Sequence, residues 1–135
     1  MVLAFALALV VALPAAARTH HRVRVPGCGG EDRAAYKPKE IILACGDGSS
    51  SIVRIHWSSW STHSAKGRGV ARVDTCDPSC AQGKVHHYRV ALALSKPRTC
   101  KRFHKREFAH LKVRFTHRRP SGSSRSLTYP RPCSR

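Results

Sequence analysis

The stretch that decides the fold is residues 41–60, IILACGDGSSSIVRIHWSSW. Two apolar runs flank residues 46–48, Gly-Asp-Gly, and this composition favours a turn because glycine accepts positive φ and aspartate bonds to its own backbone. In the second run apolar and polar residues alternate, which predicts a strand with one solvated face. The apolar positions are Val53, Ile55 and Trp57, and the polar positions are Arg54 and His56.

The composition of the whole chain indicates the class of protein. The chain has 135 residues, a length typical of one domain. Its 25 Lys and Arg residues against 7 Asp and Glu residues give a formal net charge of +18. Self-repulsion at that charge opposes compaction. Six cysteines are available to offset it, since each disulfide stabilises a small domain by about 2–4 kcal/mol.

The N-terminus predicts export. Residues 2–13 are apolar, and the small residues Ala15 and Ala17 match a cleavage site, so we predict a signal peptide over residues 1–17. The apolar core is shorter than the roughly 20 residues that a membrane-spanning helix needs. We therefore expect a secreted protein, in agreement with its even number of cysteines. The alternative is a buried N-terminal helix.

The remainder divides into three predicted parts: a basic arm and linker over residues 18–39, a β domain over residues 40–119, and a disordered basic tail over residues 120–135. Short alternating or apolar runs separated by Gly, Pro and Ser predict an all-β domain. We expect a small antiparallel β-sandwich or open barrel of about 5–7 short strands, stapled by disulfides. A short helix over residues 100–109 is the one local alternative.

The six cysteines allow several arrangements, because their spacing selects none of the 15 connectivities. The two outer cysteines lie in segments predicted to be flexible, so they could pair with each other. A zinc site formed by the central Cys-x3-Cys pair with His86 or His87 is the alternative to disulfides. We predict disulfides and neither a metal nor another cofactor. The residues are Cys28, Cys45, Cys76, Cys80, Cys100 and Cys133.

A set of ordered motifs resembles a group of small secreted actinobacterial proteins of unknown function. The motifs are Cys45-Gly-Asp-Gly, Trp57-Ser-x-Trp60, Ala65-x-Gly-x-Gly69 and Cys76-x-Pro-x-Cys80-Ala-x-Gly83, over residues 38–120. The resemblance implies a leader peptide, a compact β domain and export, and it implies no activity. The heavy Arg and His content and the two outer cysteines depart from that pattern.

A few residues are candidates for catalysis. A secreted nuclease would use histidines as general acid and base, and His56 is the first suspect, with His86 or His110 as its partner. Asp47, between two glycines, is a further catalytic candidate that is better explained as a turn former. No Gly-x-Ser-x-Gly elbow marks a serine nucleophile. Trp57 and Trp60 suit either core packing or a stacking platform.

Basic residues provide the strongest functional signal. From residue 96 to the C-terminus, cations are interleaved with aromatic residues and Glu107 is the only acid, which favours polyanion binding. We expect a non-enzymatic domain that associates with cell-wall polymers, nucleic acid or anionic lipid, with a ribonuclease as the alternative. The predicted contact residues are Lys101, Arg102, Lys105, Arg106, Lys112, Arg114, Arg118 and Arg119.

Overall fold

Six antiparallel strands form one sheet in a computed structural model that describes residues 22–29, 33–102 and 104–134. In sheet order, which is also chain order, the strands are β1 (Ile41–Ile42), β2 (Ser50–Trp60), β3 (Ala65–Asp74), β4 (Val85–Cys100), β5 (Lys105–Phe115) and β6 (Ser126–Pro130). The sheet curls into a half-barrel around the core. The predicted all-β class is therefore confirmed in its open-barrel form.

No helix occurs in the described ranges, so none there could span a membrane. The helix considered for residues 100–109 is wrong, because β4 ends at Cys100 and β5 begins at Lys105. The predicted signal peptide, residues 1–17, lies outside the described residues.

A β-bulge changes the predicted faces of β2. The register with β3 shifts between Val53 and His56, and Arg54 within the bulge has a φ of 52°. The extra residue brings both Ile52 and Ile55 into the core, where each is fully buried. Simple alternation instead predicted that Val53 would accompany Ile55, but Val53 is only half-buried.

A second bulge, between Trp57 and Ser59, turns both tryptophans toward the core. The rings of Trp57 and Trp60 meet edge to face with centroids 4.7 Å apart. The Trp57 indole N–H donates to the carbonyl of Pro38, and the Trp60 indole N–H donates to that of Val23. These contacts tie the N-terminal segment to β2, so the tryptophans act as scaffold.

The predicted basic arm and linker spans residues 18–39, and its described residues, 22–29 and 33–39, contribute to the core. Its Arg24 lies beside β5, where the Phe108 N–H donates to the Arg24 carbonyl over 2.9 Å. The prediction of a simple linker is corrected here: two alternate valines supply an apolar face that its cations and glycines obscured. The buried residues are Val23, Val25 and Pro26.

The predicted disordered tail is likewise corrected, because part of it forms β6. Leu127 and Tyr129 alternate with polar residues and pack against the core. Beyond β6, the buried guanidinium of Arg131 donates to the carbonyls of Ile42 and Pro26 over 2.9 and 2.7 Å. Arg131 thus joins the end of β6 to β1, the opposite edge strand of the half-barrel.

All six cysteines form disulfides, as predicted, and the pairing of the two outer cysteines with each other is wrong. The bridges are Cys28–Cys45, Cys76–Cys80 and Cys100–Cys133. The first attaches the N-terminal segment to the turn between β1 and β2, and the third attaches the C-terminal segment to the end of β4. The buried carboxylate of Glu107 lies against the third bridge and accepts a hydrogen bond from the Ser134 N–H over 2.9 Å.

Candidate anion-binding site

The solvent-facing side of the half-barrel is built from the alternate positions that the core does not use. On β3 these include Lys66 and Arg68, which are exposed, whereas Ala65 and Gly67 are buried. On β5, exposed Lys112 alternates with buried residues in the same way. The period of two in a strand therefore collects cations on the outer face.

A groove of about 580 Å³ crosses this outer face over strands β2 to β5. Its central row is set by strand register: His56 lies beside Arg68, Arg68 beside Ala91, and Ala91 beside Arg114. We call this site the cationic groove. Its charged and titratable lining residues are Arg54, His56, Arg68, Arg89, Arg114 and His117.

The chain just after β5 shapes one end of the groove. The backbone N–H and hydroxyl of Thr116 both donate to the carbonyl of Arg89, over 3.0 and 3.1 Å. At the other wall, Arg54 and His56 both lie on the exposed side of β2, two residues apart. Backbone geometry therefore brings residues distant in sequence to one cavity.

The charged residues that line the groove are all cationic. Four arginines line it, and no acidic residue is among its lining residues in the described chain. Across the described ranges, no hydrogen bond or ion pair holds the guanidinium groups of Arg54, Arg68, Arg89 and Arg114. Like charges gathered without a counter-charge repel one another and attract anions. Planar guanidinium groups also match phosphate and carboxylate oxygens geometrically.

The structure divides the predicted polyanion-binding residues between two places. Arg114 lines the cationic groove, Lys112 lies beside it on the same face, and Arg118 lines an adjoining cavity with Arg89. Arg119 is exposed just beyond. Four other residues lie at the far end of the β4–β5 hairpin, about 30 Å along the strands from Ala91. These are Lys101, Arg102, Lys105 and Arg106.

Histidines are brought together differently from the prediction. His56 lines the groove on β2, and His117, which the sequence did not single out, lines it just after β5. His110 lies four residues along β5 from Arg114, about 14 Å away in an extended strand. His86 lies five residues along β4 from Ala91, about 17 Å away. Neither predicted partner therefore meets His56.

Asp47 has the turn role that its flanking glycines indicated. Its carboxylate accepts a hydrogen bond from the Ser49 N–H over 2.9 Å, and that bond lowers the pKa of Asp47. It also lies near Cys76 and Cys80, a group with the residue types of a metal site. Those two cysteines are joined in a disulfide, so they offer no thiolate to zinc.

Sequence reasoning missed three of the groove arginines: Arg54, Arg68 and Arg89. In the sequence, Arg54 is a polar position opposite an apolar stripe, and Arg68 and Arg89 lie outside the basic segment, from residue 96 onward, that indicates polyanion binding. Alternation identifies which side a residue faces, but it says nothing about which strands are neighbours. Only the register between β2, β3, β4 and β5 places these residues side by side.

Comparison with known proteins finds no matching family model, no similar curated protein and no similar solved structure. The resemblance to small secreted actinobacterial proteins thus stays a prediction from sequence motifs.

Proposed function

We propose that this protein is a secreted, non-enzymatic domain that binds anionic polymers through the cationic groove. One observation supports this above all: four arginines from four different strands line one cavity that contains no carboxylate. Folding against such repulsion is costly, and an anionic ligand would relieve it. Three disulfides, which are typical of exported domains, support the extracellular location.

Salt dependence tests the proposal. Each neutralised phosphate releases counterions, so affinity should fall as salt rises. If the four groove arginines each contact one phosphate of a single strand, log Kd should rise with log salt with a slope of about 3. Fluorescence anisotropy of the oxidised full chain with a labelled polyanion measures this slope. Binding that is unchanged between low and high salt would contradict the proposal.

A paired substitution locates the binding. Arg68→Gln with Arg114→Gln removes two charges from the central row of the groove. Lys101→Gln with Arg106→Gln removes two charges from the far end of the β4–β5 hairpin. We expect the groove pair to weaken binding about tenfold and the hairpin pair about twofold. If the hairpin pair weakened binding more than the groove pair, the binding site would be the far end of the β4–β5 hairpin.

A ribonuclease is the second candidate, and the presence of both His56 and His117 in the cationic groove favours it. Two imidazoles beside arginines have the residue types needed for general acid–base cleavage of a phosphodiester. Incubating the oxidised protein with RNA across pH 5–8 tests this reading. A bell-shaped rate profile abolished by either His56→Ala or His117→Ala would replace the binding proposal, whereas intact RNA at every pH would eliminate the enzyme.

A further inference from the structure

The outer face contains a second row of cations beside the groove. Lys66 on β3 pairs with Ala93 on β4, and Ala93 pairs with Lys112 on β5. We call this set the lysine row. It repeats the arrangement of the arginine row, Arg68–Ala91–Arg114, two residues further along each strand.

Together the two rows form a trough that runs along β4. The floor consists of alanines at Ala91 and Ala93, whose methyl groups leave room above the sheet. The walls are the side chains of Lys66 and Arg68 on β3 and of Lys112 and Arg114 on β5, all of them exposed. Neighbouring strands lie about 4.8 Å apart, so the backbones of the two walls are separated by about 10 Å. Successive rows are about 7 Å apart along the strands.

Apart from the imidazoles of His56 and His117, no aromatic ring lines the cationic groove in the described part of the chain. Tyr88, on β4, lines the adjoining cavity rather than the groove, and its ring packs edge to face against Phe115 at the core. Single-strand binders that hold bases use exposed aromatic platforms, and no Phe, Tyr or Trp lines the groove in the described residues to serve as one. The groove would therefore hold a ligand through the ligand's anionic groups, whatever other groups are attached to the ligand's backbone.

We infer that the trough binds one extended phosphodiester strand along β4, with its phosphates between the two walls, and that it discriminates against a double helix. This inference rests on the proposed function and specifies its ligand. A double helix, whose major groove alone is about 12 Å wide, is too broad to lie between walls about 10 Å apart. A single-stranded nucleic acid and a polyol phosphate polymer share the required chemistry.

The test compares four ten-unit ligands by anisotropy at one salt concentration: oligo-dT, an abasic strand with the same phosphates, oligo-glycerol phosphate and a DNA duplex. We expect the three single strands to bind within about threefold of one another and the duplex at least tenfold more weakly. Simple charge attraction predicts the opposite order, because the duplex has twice the charge. A duplex that binds as tightly as the single strands overturns the inference.

The two phosphate sources are separated within the same experiment. Equal binding of the abasic and glycerol phosphate strands supports recognition of phosphodiester charge alone, and tighter glycerol phosphate binding identifies a polyol phosphate as the preferred strand. Oligo-dT that binds more than tenfold tighter than the abasic strand would show base recognition and overturn the inference.

Matched variants test the trough itself. Lys66→Gln with Lys112→Gln removes the lysine row, and Lys39→Gln with Lys84→Gln removes two exposed lysines outside it. We expect about a tenfold loss of single-strand binding and a salt slope shallower by about 1.4 for the first pair, and less than a twofold loss for the second. Thermal unfolding of each oxidised variant verifies folding.

Equal losses of binding in both pairs would show that only the net charge matters, and they would overturn the inferred trough. If binding still depended on salt, the proposed function would stand. Absence of binding to every ligand at low salt would instead refute the proposed function.

Discussion

Arg54 shows how one residue sets the faces of a strand. Its φ of 52° lies in the left-handed region, which costs a non-glycine residue about 1–2 kcal/mol. The bulge at this residue brings Ile52 and Ile55 into the core together and leaves the Arg54 side chain at the groove. The backbone conformation that completes the core therefore also contributes a cation to the proposed binding site.

Substitutions at Arg54 test this strain. Arg54→Gly and Arg54→Ala both remove the guanidinium, but only glycine adopts positive φ without cost. We expect the glycine variant to be about 1 kcal/mol more stable than the alanine variant, measured by urea unfolding of the oxidised protein. Arg68, in a regular part of β3, provides the control, since glycine should there be the less stable variant by about 0.5–1 kcal/mol.

At the scale of elements, the β2–β3 hairpin depends on close backbone approach. Gly67 on β3 pairs with Trp57 on β2 beside the second bulge. A Cβ at Gly67 would lie 2.8 Å from the His56 carbonyl oxygen and 2.9 Å from the Trp57 ring. Since both neighbours belong to the strand that carries the tryptophans, there is little freedom for them to move.

Gly67→Ala should therefore destabilise the protein by about 1–3 kcal/mol through overpacking. Gly46→Ala is the matched control, because a Cβ there meets no atom within 4 Å. We expect that control to change the free energy of unfolding by no more than about 0.5 kcal/mol. Equal stability of the two variants in urea unfolding would show that the hairpin has more space than its geometry indicates.

At the scale of the whole molecule, the terminal segments close the half-barrel. Arg131 reaches across to β1, and Cys100–Cys133 attaches the C-terminal segment to the end of β4. That bridge spans 33 residues, whereas Cys76–Cys80 spans 4. A longer loop has more freedom in the unfolded chain, so closing it stabilises the fold more.

Removing these bridges should therefore have unequal effects. We expect Cys100→Ala with Cys133→Ala to lower the free energy of unfolding by about 4 kcal/mol, and Cys76→Ala with Cys80→Ala by about 2 kcal/mol. Urea unfolding of each variant, compared with that of the unsubstituted protein, measures both losses. A larger loss from the short bridge would indicate that the C-terminal segment stays docked through Arg131 and β6 without its disulfide.

By itself, the sequence determined the all-β class and the engagement of all six cysteines, because both follow from local signals. Alternation with a period of two identifies strands and their wet faces wherever the backbone is regular. The turn role of Asp47 was equally local, since its hydrogen-bond partner lies two residues away.

Only the tertiary structure decided the disulfide pairing, the burial of Val23 and Arg131, and the cationic groove. Pairing and burial depend on which segments meet in space, and a short apolar face among cations resembles a linker in sequence. The groove depends on register: Arg68 and Arg114 are 46 residues apart in the chain yet flank the same alanine. Strand alternation determines the face on which each cation lies, and the pairing of four strands brings those cations together in one groove.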